Sequence, residues 1–154
     1  MSVEWNVGYI ATKRSQVTPS KKALIYEDVP VTYRELNDRV NRAAHMLEKK
    51  GIKKGDRVAL LLLNCVEFLE VYFACAKLGV IVVPLNWRLA APELEYQLNN
   101  CDVRMLVFHD CFLGSVDLIR DRTKVEQDKF VFLASGSATL PGFELPRCPS
   151  WAQD

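Results

Sequence analysis

The spacing of hydrophobic positions changes along the chain, and each change marks an element. Val58 to Leu63 is an unbroken apolar run of strand length, too short for a stand-alone buried helix. Asn64 then offers a helix cap, with Glu67 three residues on, the spacing of a capping box. The helix reaches Leu78, where Gly79 supplies a left-handed stop. Val80, Ile81, Val82 and Val83 are β-branched and precede Pro84, which predicts a second strand. A strand that is apolar on both faces belongs inside a parallel sheet, because helices must cover both sides. Residues 55–89 therefore read as a strand–helix–strand unit around which the chain is organised.

The flanking segments extend this pattern. Trp5 to Ser15 predicts a short helix, with Val7, Ile10 and Ala11 at helical spacing, broken at Thr18-Pro19-Ser20. Ala23 to Tyr26 and Pro30 to Thr32 flank Glu27-Asp28 as a tight hairpin. Thr32 and Glu35 form a capping box. The helix it opens carries Leu36, Val40, Ala43, Ala44 and Leu47 on one face and Asp38, Arg39, Arg42 and Lys49 on the other, and ends at Gly51. Pro92 suits the first position of a further helix, whose start should be loose because Ala91 is a poor cap. Leu94, Leu98 and Cys101 are its expected buried face. Arg104 to Phe108 reads as an alternating strand, Phe112 to Arg122 as a helix with Leu113, Val116 and Ile119 inward, and Phe130 to Ala134 as a last strand. Strands recurring near 58, 80, 104 and 130 fit successive right-handed βαβ units. The predicted class is α/β, a mostly parallel sheet flanked by helices with a small N-terminal β-hairpin. Small polar residues and Pro141, Pro146 and Pro149 make 135–154 a loop-rich tail.

Composition narrows the function classes. The net charge of +1 gives no general attraction to nucleic acid or anionic membrane. The densest basic cluster, Lys49, Lys50, Lys53 and Lys54, flanks a glycine at a helix end and reads as a solvated turn. Cysteines 65, 75, 101, 111 and 148 are odd in number and lack C-x-x-C spacing. With no signal-peptide pattern at the start, they indicate buried thiols in a reducing cytoplasm. Asn64, Glu67, Glu70 and Lys77 interrupt the most apolar window, which argues against a transmembrane span. His109-Asp110-Cys111 suggests a ligand cluster but reads more simply as structural, and His45 has no acidic or Cys partner at i±4. No metal site is expected.

The usual carriers of chemistry are missing. The chain contains no phosphate-binding glycine fingerprint and no nucleophile elbow. Glu67 and Glu70 share a helix face and read as solvated or paired with Lys77 or a neighbour rather than as an acid/base pair. Ser135 to Gly142 is rich in small residues after a strand, but lacks the second glycine and the lysine of a phosphate cradle, so it reads as a surface loop.

Four blocks in order carry a family resemblance: TYRELNDRVNRAAHML (32–47), GDRVALLLLN (55–64), AKLGVIVVPLNWRL (76–89) and ELEYQLNNCDVRMLV (93–107). Together they resemble the N-terminal region of adenylate-forming enzymes over roughly residues 5 to 145. Pro84-Leu85-Asn86-Trp87-Arg88-Leu89 is similar to the fatty-acid or aryl CoA-ligase branch. The resemblance implies that residues 1–154 are part of an N-terminal AMP-binding (adenylation) domain. It implies a parent that joins a fatty or other carboxylic acid to CoA through an acyl-adenylate, using ATP and Mg2+. It also puts the phosphate loop, the ribose-binding segment and the catalytic lysine beyond residue 154, so no catalytic residue is assigned here and this stretch alone is expected to be inactive. By order, Pro141-Gly142-Phe143 matches the variable loop ahead of the phosphate loop. In some relatives the loop matching Asn86, Trp87 and Arg88 touches the CoA adenine, which makes Trp87 and Arg88 the candidate cofactor contacts. The other reading packs Trp87 on a helix and pairs Arg88 with a carboxylate. Two rivals remain: a non-catalytic remnant or partner- or acyl-binding module, and an unrelated doubly wound nucleotide-binding domain.

Overall fold

The computed structural model describes residues 6–134. The tail expected at 135–154, with Cys148, and the helix start at Trp5 lie outside those residues. The chain divides into two compact units, Met1–Gly55 with Cys65–Ile81, and Asp56–Asn64 with Val82–Asp154.

The first unit holds α1 (Tyr9–Val17), β1 (Lys22–Tyr26), β2 (Val29–Thr32), α2 (Tyr33–Lys49) and α3 (Val66–Leu78). The hairpin turns at Glu27 and Asp28, both with positive φ (48° and 64°), as a two-residue turn twisted to suit antiparallel strands requires. Tyr26 pairs with Val29 and Ile25 with Pro30. The Thr32–Glu35 capping box is present: the Thr32 hydroxyl accepts the Glu35 N–H at 3.3 Å, and the Glu35 carboxylate accepts the Thr32 N–H at 2.7 Å. The five residues expected on the inner face of α2 are all buried.

Two helix starts differ from expectation. The first helix begins at Tyr9, and Val7 and Ile10 are exposed while Ala11 is buried. With so short an apolar face, position is set by contact rather than by periodicity: a Cβ on Gly8 would meet the backbone of Ala76 and Lys77 at the end of α3. In the third helix the cap is Cys65, not Asn64; its Sγ accepts the Phe68 N–H at 3.3 Å. Val66 is buried and sets the first inward position, which leaves Asn64 exposed one residue outside. The αL stop at Gly79 is as expected (φ 68°).

Between α2 and α3 lies a polar seam that periodicity does not reveal. Glu70 is buried, with 4% of its surface exposed, and accepts from Arg39 at 3.0 Å. Lys77, instead of meeting a carboxylate, donates to the Asn37 and Asn41 side-chain oxygens at 2.8 and 2.7 Å. Burial raises the Glu70 carboxyl above its ordinary 4.5, against the opposing pull of the Arg39 bond. Between about pH 4.5 and that raised value the folded chain keeps a proton that the unfolded chain has released, so stability falls as pH rises through the window. Glu70→Gln cannot titrate. The stability advantage of the native residue over Gln should therefore be largest in acid and narrow toward neutrality. Urea unfolding at about pH 4 and about pH 7 checks this, and an advantage that widens toward neutral pH would contradict it.

The second unit is built on β3 (Arg57–Leu61), β4 (Ile81–Pro84), β5 (Met105–His109) and β6 (Phe130–Leu133), with α4 (Ala91–Asn100) and α5 (Leu113–Ile119). The sheet order is β4-β3-β5-β6, and β3–β5 and β5–β6 pair in parallel. Every residue of β5 is buried, as are Val58 to Leu61. The alternation expected at 104–108 is absent because β5 is an inner strand with both faces covered. Conversely, β4 was expected inside the sheet but is an edge strand among the described residues, with Ile81 51% exposed. The chain leaves β4 and returns on the far side of β3 to form β5.

One side of the sheet meets the two helices. Ala59, Leu61, Leu106 and Phe108 join Leu94 and Leu98 of α4 and Val116 and Ile119 of α5 in a single core. The start of α4 is not loose: Ala90 takes the cap position, and the Glu93 carboxylate accepts its N–H at 2.8 Å, supplying half of a capping box. Pro92 therefore sits one position later than expected. The predicted helix 112–122 is shorter, with single 3₁₀ turns at Asp110–Phe112 and Arg120–Arg122 on either side of α5. Among the described cysteines only Cys75 is fully buried, and Cys65, Cys101 and Cys111 are half-buried; none is in a disulfide. Burial pushes the Cys65 and Cys75 thiols up to about 12.

Candidate functional site

The carboxyl end of β4 runs into a turn whose backbone is tied down at several points. Leu85 is buried, and its N–H donates to the Leu60 carbonyl of β3 at 2.9 Å. The Asn86 side-chain oxygen accepts the Arg88 N–H at 3.0 Å, and the Asn86 carbonyl accepts the Leu89 N–H at 3.1 Å. This Asn-centred turn reverses the chain within four residues. Leu85 and Leu89 face the core cluster, so Asn86, Trp87 and Arg88 are left on the outside.

Of the structural reading, the carboxylate partner of Arg88 is not found among the described residues. Trp87 is 39% exposed, so part of its ring reaches solvent and the larger part is covered. The Arg88 guanidinium, instead of meeting a carboxylate, lies over the Trp87 ring at 4.7 Å from its centroid. The tight turn accounts for both: with the backbone reversed at Asn86, two adjacent side chains project to one side and contact each other. A part-exposed indole with a guanidinium stacked on it brings an aromatic ring and a cation together at the surface.

The order of strands defines a second notable position. β3 is flanked by β4 on one side and β5 on the other, so the carboxyl ends of β3 and β5 form a switch point, where open α/β sheets bind ligands. His109 closes β5 there. Its Nδ1 accepts the Leu63 N–H at 3.1 Å, across a separation of 46 residues. A neutral ring accepting at Nδ1 carries its proton on Nε2. His109 and Asp110 are buried, and the Asp110 carboxylate accepts the Cys111 N–H at 2.9 Å. His109-Asp110-Cys111 was legible as a cluster, but its tie to Leu63 was not, since nothing local signals a partner so distant in sequence. Among the described residues no group of three His, Cys, Asp or Glu side chains is placed to hold a metal ion. His45 meets Glu48 one turn on, at 3.4 Å on the exposed surface. No described helix is long and apolar enough to cross a membrane.

Residues 11–144 match the family model described as AMP-binding enzyme. The chain is 39% identical over 117 residues to the long-chain-fatty-acid–CoA ligase FadD13 of Mycobacterium tuberculosis, covering 75% of this chain and 23% of that protein. It is 38% identical over 105 residues to the 2-succinylbenzoate–CoA ligase of Oceanobacillus iheyensis, covering 68% of this chain and 22% of that protein. The inhibitor-bound N-terminal domain of FACL13 from Mycobacterium tuberculosis superposes with a TM-score of 0.74 at 35% identity, over 82% of this chain and 33% of that one. The chain thus spans under a quarter of the length of these two curated relatives.

Proposed function

Because the chain belongs to the AMP-binding enzyme family, we propose that it is the N-terminal portion of an ATP-dependent acyl-CoA ligase. The observation that carries this reading is the family match over residues 11–144. The two curated relatives are named for different acids but for the same acceptor, CoA, so CoA is the ligand most directly supported and the acid is left open as fatty or other carboxylic.

Within the chain, the proposed CoA contact is Trp87 with Arg88. The part-exposed indole offers an aromatic ring for the adenine, and the guanidinium stacked on it can meet the phosphates. Among the described residues no group of three His, Cys, Asp or Glu side chains is gathered for a metal ion, and no step is assigned to ATP or Mg2+ here. The chemistry of adenylate formation is proposed to reside in the remainder of the parent, and the setting is proposed to be cytoplasmic, in keeping with the buried Cys75 thiol.

Two measurements test the reading. The 154-residue chain by itself should show no carboxylate-dependent ATP–pyrophosphate exchange; detectable exchange would place phosphate chemistry within these residues. A chimera in which this chain replaces the matching segment of the FadD13 relative should release AMP only when acid, ATP and CoA are all supplied. A folded chimera without that dependence would overturn the ligase assignment. In the same chimera Arg88→Ala should raise the KM for CoA by roughly tenfold, the cost of one charge-assisted hydrogen bond, and leave the KM for ATP unchanged.

A further inference from the structure

We infer that Arg88 is a displaceable cover on the Trp87 ring, so that this turn selects a base carrying phosphate over the same base without it. The inference rests on the reading of Trp87 and Arg88 as the CoA contact and adds a selection rule to it.

The backbone of the turn is held, but the Arg88 side chain is not. Three hydrogen bonds fix the chain from Leu85 to Leu89. Beyond its own N–H, Arg88 is engaged through its stack on Trp87, at 4.7 Å. Among the described residues no carboxylate stands in ion-pair range of it. An exposed cation–π stack of this kind is weak enough to be broken by a competing ligand.

The guanidinium occupies one face of the indole ring, and that is the face on which we place the base. A base entering that face must move Arg88 aside and lose its stack. A neutral nucleoside returns nothing for that loss. A nucleotide returns a charge-assisted, two-pronged contact between its phosphate and the released guanidinium. One residue therefore opposes the first ligand and favours the second. The same geometry lets the ring stay covered, and less exposed to chance apolar contacts, until a phosphate arrives.

The test uses the full 154-residue chain and two probes, adenosine and adenosine 3′,5′-bisphosphate. Binding is read from the indole N–H resonance of Trp87, identified by its loss in Trp87→Phe. In the native chain the bisphosphate should shift this resonance at lower concentration than adenosine. Arg88→Ala should tighten adenosine by roughly threefold, the weight of one exposed cation–π stack, and weaken the bisphosphate by roughly tenfold. Arg88→Lys, which keeps the charge but lacks the planar fork, should retain the preference for phosphate and lose part of the penalty on adenosine. If Arg88→Ala weakens both probes, or changes neither, while both still shift Trp87, the cover is refuted and the contact stands. If neither probe moves the Trp87 resonance in the native chain, the contact and the cover fall together.

Discussion

Phe108→Ala should lower the stability of the chain by about 3–5 kcal/mol, the range for truncating a buried aromatic side chain. Phe108 is 1% exposed and is among the largest side chains so fully buried. It stands on β5, paired on one side with Leu61 of β3 and on the other with Phe132 of β6. Its ring meets Phe132 edge-on, with centroids 6.0 Å apart and planes at 63°, so truncation also removes an aromatic pair. An inner strand with both faces covered cannot collapse easily into the space left, which keeps the cost near the top of the range. Domains of this kind are stable by only about 5–15 kcal/mol, so the variant should unfold at much lower denaturant. Leu118→Ala is the matched control: Leu118 is 65% exposed, and its loss should stay within about 0.5 kcal/mol. Urea midpoints of the three chains decide the matter, and near-equal midpoints for Phe108→Ala and native chain would contradict the described core.

Gly8→Ala should cost about 1–3 kcal/mol, the range for forcing an added methyl into a filled space. The sign is the informative part. Gly8 has ordinary right-handed backbone angles (φ −63°, ψ −24°), and replacing such a glycine in open space stabilises a protein by about 0.4–1 kcal/mol. Here a Cβ would stand 2.6 Å from the Ala76 carbonyl carbon and from the Lys77 Cα. Those atoms belong to backbone and cannot swing away as a side chain could. The start of α1 must therefore move off the last turn of α3, or the methyl is not accommodated. Gly114→Ala gives the opposite case. Its Cβ would meet nothing within 4 Å, and the position lies inside α5, so alanine should stabilise by about 0.5–1 kcal/mol. Thermal unfolding of the two variants should move the midpoint in opposite directions; a rise for Gly8→Ala would show that the close approach is absent.

These cases separate what local pattern carries from what it cannot. The hairpin at Glu27-Asp28, the Thr32–Glu35 box, the buried face of α2 and the Gly79 stop all depend on residues within a few positions of each other, and they form as the spacing requires. The α/β class and the order of the strands along the chain follow from the same local signals. Family membership was also legible, because four blocks preserve their order and spacing.

What the pattern could not supply was which strand lies beside which. That choice made β4 an edge and β5 an inner strand, and so removed the burial expected of β4 and the alternation expected of β5. Nor could the pattern supply the long-range pairs, His109 with Leu63 and Glu70 with Arg39, separated by 46 and 31 residues. The approach of Gly8 to the end of α3 was likewise beyond it. At the candidate site, the sequence by itself determined that Asn86, Trp87 and Arg88 follow a strand and fall in a turn. Only the tertiary structure decided that Leu85 and Leu89 take the inner places and that Arg88 lies on the indole. The physical reason is the same throughout: hydrogen bonds and periodicity within a turn or helix are short-range and written in neighbouring residues, whereas burial is decided by whichever distant segment arrives to exclude water.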